Sequence, residues 1–169
     1  MRRLAYLQQR ASQATCTMTS NKPLPRAIIC DLDGTLCNIY HRQHYMRSRP
    51  KNWKAFYQAL GKDLAHEFCR DILQMYKERG FVILLVSGRP ADYKIETEAW
   101  LADHEVEYDA LWMRSIGDSR PDFIVKKEIY EQFIQGRYNV FFVLDDRDQV
   151  VKMWRSQGLT CLQVAEGNF

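Results

Sequence analysis

Apolar residues in this chain fall into short continuous runs separated by longer stretches with helical periodicity. The first run is Ala27-Ile-Ile-Cys30, preceded by Pro23 and Pro25 and closed by Asp31. Phe81 to Val86, Tyr108 to Met113, Asn139 to Leu144 and Thr160 to Gln163 are the others. Runs with no alternating polar face predict strands covered on both sides, as in a parallel sheet. Between them, Trp53 to Leu60, Lys62 to Arg79, a stretch opening at Pro90, Asp122 to Gln135 and Asp148 to Gln157 predict helices, with Gly61, Gly80 and Gly136 as stops. In the second of these, Leu64, Phe68, Ile72 and Met75 recur at helical spacing and are expected to face the core. Tyr93, Thr97, Trp100 and Leu101 do the same for the third, Phe123, Ile129 and Phe133 for the fourth, and Val150, Val151 and Trp154 for the fifth. Alternating strands and helices predict an α/β fold, a mostly parallel sheet with helices on both faces. No repeat, low-complexity tract or linker divides the chain, so one domain over residues 27–169 is expected.

Candidate chemistry collects where the strands end. The first run leads into Asp31-Leu-Asp33-Gly34-Thr35, which places two acids and a hydroxyl at the carboxyl edge of the sheet, where open α/β folds bind ligands. Side chains on a strand repeat every second residue, so Asp31 and Asp33 are expected on one side. Two carboxylates that close are costly without a cation, which points to an oxygen-preferring divalent metal, magnesium above all. The bland alternative is an Asp-Gly turn with solvated acids. The second strand ends in Ser87-Gly88-Arg89, and the fourth in Asp145-Asp146, a pair that could equally cap the following helix. Lys126 and Lys127 are predicted in the first turn of a helix, where the macrodipole disfavours a cation.

Length and composition bound the rest. With 169 residues and 46% hydrophobic content, the chain suffices for one core. A net charge of +3 is too small to bind a polyanion as a whole-molecule field, so such affinity must come from local clusters. Cys37 to Lys54 is one such cluster. It carries Arg42, Arg47, Arg49, Lys51 and Lys54 with no acid, interleaved with Tyr40, His41, His44, Tyr45 and Trp53. Cations mixed with planar rings suit single-stranded nucleic acid, although a solvated basic loop has the same composition. The 5 cysteines are scattered, and one lies inside the first buried run, which argues for reduced thiols and a cytoplasmic protein. No apolar run is long enough to span a bilayer. Residues 1–26 hold basic side chains and no acid, and are expected to be an extension outside the domain.

The motif Asp31-x-Asp33-Gly34-Thr35, then Ser87, a lysine and Asp145-Asp146, resembles the four motifs of the haloacid dehalogenase (HAD) phosphohydrolases. The stretches Arg120-Pro-Asp-Phe-Ile-Val-Lys126, Asp145-Asp-Arg-Asp-Gln-Val-Val-Lys-Met-Trp-Arg155 and Leu162-Gln-Val-Ala-Glu-Gly-Asn-Phe169 narrow the likeness. They resemble the 3′-phosphatase domain of bacteriophage polynucleotide kinase/phosphatase. The resemblance implies a HAD-like, Rossmannoid sheet with Asp31 as nucleophile, Asp33 as proton carrier, and Thr35, Ser87 and Lys126 as phosphate ligands. It implies magnesium on Asp31, Asp33, Asp145 and Asp146, and it makes Gly88, Arg89, Arg114 and Arg120 candidate substrate contacts beside Arg42, Arg47 and Arg49. No Gly-x-x-x-x-Gly-Lys-Ser/Thr loop is present, so only the phosphatase half carries over. The segments flanking the motifs are too short for a folded cap, which favours an open site and a polymer end: the 3′ ends of DNA or RNA. The competing expectations are a phosphatase of mononucleotides or other small phosphomonoesters, and a non-catalytic module that binds nucleic-acid ends. No obligate protein partner is expected.

Overall fold

The computed structural model describes residues 23–167. The extension expected over residues 1–26 falls almost wholly outside them. The described residues hold seven strands, β1 (Arg26–Cys30), β2 (Cys37–Asn38), β3 (Leu64–Ala65), β4 (Val82–Pro90), β5 (Ala110–Arg114), β6 (Asn139–Asp145) and β7 (Cys161–Gln163). They are joined by helices α1 (His44–Arg47), α2 (Trp53–Gln58), α3 (Glu67–Glu78), α4 (Lys94–Asp103), α5 (Asp122–Ile129) and α6 (Asp148–Ser156). Five strands form one parallel sheet in the order β5-β4-β1-β6-β7, while β2 and β3 pair antiparallel apart from it.

The most apolar strand lies at the centre. Alternation sends Ile28 and Cys30 of β1 into a core with Cys69, Leu73, Trp100 and Leu101, from α3 and α4. Ala27 and Ile29 enter the opposite core with Val125, Ile129, Val150, Val151 and Trp154, from α5 and α6. Helices thus cover both faces, as expected of a sheet whose strands lack a polar side. Cys30, Cys37, Cys69 and Cys161 are buried free thiols. No helix among the described residues is long and apolar enough to cross a membrane.

Local expectations fare unevenly. Residues 62–79 do not form one helix. A 3-10 turn at Leu60–Lys62 and β3 precede α3, which starts at Glu67. The proposed stripe is also rotated: Ile72 packs against the core, but Leu64, Phe68 and Met75 are exposed, whereas Cys69 and Leu73 are buried. Strand β3 takes Leu64 out of the helix, and tertiary packing then selects the face one position further on. The helix expected at Asp122–Gln135 ends at Ile129 and continues as a π-helical turn, Tyr130–Ile134. Strand β4 runs on through Ser87-Gly88-Arg89, with an irregularity in its pairing to β5 between Ser87 and Pro90.

Topology positions the site. From β1 the chain builds outward through β4 and β5, then returns to the other side for β6 and β7, so the strand order switches at β1. Cys30 is in register with Leu85 on one side and Leu144 on the other. Residues just beyond these three meet at one edge of the sheet, at a switch point.

Candidate active site at the carboxyl edge of the sheet

Asp31 extends the register of β1 by one residue, its N–H donating to the Leu144 carbonyl at 3.0 Å. That brings it beside the end of β6. Asp31, Asp145 and Asp146 are all buried, and their ligand oxygens lie within 4.8 Å of one another. Lys126, on α5, donates from Nζ to Asp31 Oδ1 at 2.6 Å and to Asp145 Oδ2 at 2.9 Å. It stands in the second turn of α5 rather than the first, so these acids account for its position, not the helix dipole. Asp145 is fixed further by the Trp154 Nε1–H at 3.1 Å and the Arg147 N–H at 3.2 Å. Thr35 Oγ1 donates to Asp146 Oδ1 at 3.3 Å.

The charges here are not balanced by protein groups alone. Burial pushes the Asp31 carboxyl well above its usual range; Lys126 opposes this, and Asp145 and Asp146 reinforce it. Burial and then Asp145 push Asp146 up to about 7. Burial disfavours the Lys126 ammonium, but Asp145 and Asp31 outweigh that and hold it charged. Three carboxylates against one ammonium leave room for a hard dication with oxygen ligands, so the donor set fits a magnesium-like ion.

Gly34 makes the cluster possible. Its φ is +91°, and an added Cβ would lie 2.3 Å from Asp146 Oδ2. Gly34→Ala is therefore expected to drive the Asp146 carboxylate out of place and weaken divalent-ion binding by ten-fold or more, roughly as loss of a metal's supporting group does. Isothermal titration with magnesium reads it, and unchanged affinity would count against Asp146 as a ligand.

Asp33 departs from the expected arrangement. It lines the same cleft as Asp31, but its carboxylate is held by Arg42 and Arg89 rather than grouped with Asp145 and Asp146. The chain leaves β1 at Cys30, so strand alternation no longer governs the second acid. Arg89 Nε donates to Asp33 Oδ1 at 2.8 Å and Arg42 Nη2 to the same oxygen at 2.6 Å. Behind both guanidinium groups stands Asp63, buried, which accepts from Arg42 Nε at 2.6 Å and from Arg89 Nη2 at 3.2 Å. Burial alone would raise the Asp33 pKa, yet Arg89 and Arg42 more than offset it and hold the carboxyl well below its ordinary range. Arg42 and Arg89, expected to contact substrate, are fully buried and spent on these acids. Their position is behind Asp33, not on a substrate-facing surface.

The other expected residues are placed variously. Ser87 is buried, its Oγ accepting the Arg89 N–H at 3.2 Å. Gly88 lets Asp122 approach: a Cβ there would lie 2.1 Å from Asp122 Oδ1. Arg114 lines the cleft and donates to the Gly88 carbonyl at 2.8 Å and to Asp122 Oδ1 at 3.3 Å. Arg120 is exposed and paired with Asp118 and Glu128. Arg47, the last residue of α1, and Arg49, on the turn before α2, are exposed, with Arg47 donating to Gln43 Oε1 at 3.1 Å.

Residues 25–169 match the protein family described as the polynucleotide kinase PNKP phosphatase domain, a HAD family. The chain belongs to that family. A protein of Autographa californica nuclear polyhedrosis virus, whose name assigns it polynucleotide kinase and RNA ligase activities, is 30% identical over 136 residues, covering 78% of this chain and 18% of that protein. Among solved structures, a chain of a Pnkp1/Rnl/Hen1 complex has a TM-score of 0.77 at 42% identity, covering 88% of this chain and 49% of that one. A chain of a Pnkp1/Rnl/Hen1 RNA repair complex has a TM-score of 0.77 at 37% identity, covering 98% and 54%. A class C acid phosphatase from Bacillus anthracis with tungstate bound shares the fold, with a TM-score of 0.62 at 16% identity, covering 98% of this chain and 74% of that one. This chain thus spans about half of the two complex chains and under a fifth of the viral protein.

Several members of the site were not singled out from the sequence. Asp63 lies in a stretch expected to be helical, and no motif marks it. Asp122 was visible only as the start of a helix, yet it stands 3.7 Å from Lys126 Nζ and 3.6 Å from Arg147. Arg147 also lines the cleft, and its place after Asp145-Asp146 was the one available signal.

Proposed function

We propose that this chain is a magnesium-dependent phosphomonoesterase that removes 3′-terminal phosphates from polynucleotides through an aspartyl-phosphate. The observation that carries this reading is the buried Asp31, held by Lys126 beside Asp145 and Asp146, in a chain of the polynucleotide kinase phosphatase family. Asp31 attacks phosphorus through a carboxylate oxygen as the ester P–O bond breaks, and Asp33 delivers a proton to the departing alcohol oxygen. The arginines hold Asp33 ionised, so it must first acquire that proton. An incoming phosphate dianion acts as a like charge, which favours the protonated carboxyl. In the second half, Asp33 takes a proton from the water that attacks the phosphoaspartate, releasing inorganic phosphate and restoring Asp31. Lys126 and the Ser87 and Thr35 hydroxyls are the phosphate donors of the site. Magnesium would be held by the Asp31, Asp145 and Asp146 carboxylates and the Asp33 main-chain carbonyl. When bound it offsets charge between nucleophile and phosphate.

A compact flap supports a polymer substrate. Between β1 and β4 the chain forms only the β2-β3 ribbon and helical turns besides α3, with the exposed Arg47, Arg49 and Lys51 in the flap. Because the 37%-identical chain comes from an RNA repair complex, RNA ends are the first polymer to test. Oligonucleotides with 3′- or 5′-phosphate and free 3′-nucleotides, each with magnesium, decide the matter. Release from the 3′-phosphorylated polymer is expected. Release only from mononucleotides would favour a small-substrate phosphatase, and binding without release a non-catalytic end-binding module.

The metal reading has its own pH signature. In metal-free protein Asp146 titrates at about 7, above the ordinary carboxylate value near 4. A raised acid contributes stability that is present below about pH 4 and lost as pH rises through about 7. Ion binding displaces that proton. Magnesium is therefore expected to raise the melting midpoint more at about pH 8 than at about pH 6. A metal effect indifferent to pH would contradict Asp146 as a ligand.

A further inference from the structure

Two hollows meet at the mouth of the site. The inner slot, of about 60 Å³, reaches Asp31 and Asp33. The outer cavity, of about 400 Å³, lies within the range of ~300–1,000 Å³ usual for small-molecule sites. Trp53, Tyr57, Arg114 and Arg147 line both. A group the size of a phosphate fits the slot, and the outer cavity, which shares this wall, offers room for what is attached to that phosphate.

That wall is aromatic and held from behind. Trp53 stacks on Tyr57 with centroids 5.9 Å apart and planes 20° from parallel, and meets Phe56 edge-on at 6.1 Å. Tyr57 in turn packs on Tyr93 at 5.1 Å. The Asn52 side chain caps α2 by accepting the Ala55 N–H at 3.1 Å, which fixes the turn that carries Trp53. Although supported in this way, Trp53 remains 46% exposed. A large ring left half open beside a slot lined by both acids and cations is poor core packing and a good stacking surface. The Lys51 ammonium stands 5.7 Å from its centroid, a flexible cation that a planar group can displace toward a phosphate.

We infer that Trp53, backed by Tyr57, is a stacking shelf for the nucleobase of the phosphorylated terminal nucleotide. The shelf makes a purine or pyrimidine part of what the site selects, and deepens the proposed function, on which it rests. Base stacking on an aromatic side chain is worth about ten- to a hundredfold in affinity when the ring is removed.

The test compares kcat/KM for 3′-phosphorylated oligonucleotides whose last residue carries a base or is abasic. The wild-type ratio is expected to be about ten or more, to collapse toward one in Trp53→Ala, and to recover in Trp53→Phe, with the change in KM rather than kcat. Binding is read separately in Asp31→Asn protein by tryptophan fluorescence. The based oligonucleotide should quench it, the abasic one should not, and Trp53→Phe should abolish the quench. Equal ratios in wild type and Trp53→Ala, or a quench that survives Trp53→Phe, overturn the shelf. If no polymer is turned over, the proposed function falls by itself. The same ratio on a free 3′-nucleotide and its base-free sugar phosphate then decides the shelf.

Discussion

Replacing Asp31 with Asn is expected to lower kcat by at least about 10⁴-fold while leaving the protein folded. Asparagine keeps the shape of the side chain but has no carboxylate to attack phosphorus, and no neighbour stands in its place. Asp145 is fixed by Lys126, Trp154 and the Arg147 N–H, and Asp33 is held by Arg42 and Arg89. The stability readout separates chemistry from structure. Burial, together with Asp145 and Asp146, disfavours the charged form of Asp31, so the neutral amide removes an unfavourable charge. Lys126 loses one partner and keeps Asp145. The melting midpoint of Asp31→Asn should therefore equal or exceed that of wild type. Turnover within ten-fold of wild type would remove Asp31 as nucleophile.

The second large effect is expected from a residue that never meets substrate. Asp63 is 2% exposed and takes hydrogen bonds from Arg42, Arg89 and His41, the last at 2.8 Å. Asp63→Ala leaves two buried guanidinium groups facing one carboxylate. Removing one partner of a buried ion pair costs about 3–5 kcal/mol. For a domain of this size that corresponds to a fall in melting midpoint on the order of 10 °C. Activity should fall with it, because the arginines that aim Asp33 lose their other anchor. Asp63→Asn keeps an acceptor and should lie between the two. A urea-unfolding free energy for Asp63→Ala within about 0.5 kcal/mol of wild type would show that the network does not hold the flap.

These two predictions rest on residues of very different legibility. Asp31 announces itself by ending an apolar run and by its spacing to Asp33, Gly34 and Thr35. Asp63 sits between a glycine-containing turn and a two-residue strand, where neither periodicity nor motif marks it. The α3 stripe shows the same limit inside a helix. Leu64, Phe68 and Met75 have helical spacing, but β3 removes Leu64, and the packed face runs through Cys69 and Leu73 instead. Spacing identifies a helix more securely than it identifies which of two adjacent faces will be covered.

For this protein the linear order of residues determined the class of fold. Unbroken apolar runs can be satisfied only by strands buried on both faces, and the long helical stretches between them require parallel crossovers. It also determined which side chains stand at the carboxyl edge, since Asp31, Ser87 and Asp145 each follow such a run. The tertiary structure alone decided how those groups divide. Asp31 joins Asp145, Asp146 and Lys126, while Asp33 turns to Arg42, Arg89 and Asp63. That division depends on which charges are buried together, and burial brings together residues far apart in the chain. The same reason moved Arg42 and Arg89 from expected substrate contacts to buried supports: a guanidinium closed off from water must spend its donors on the nearest carboxylates.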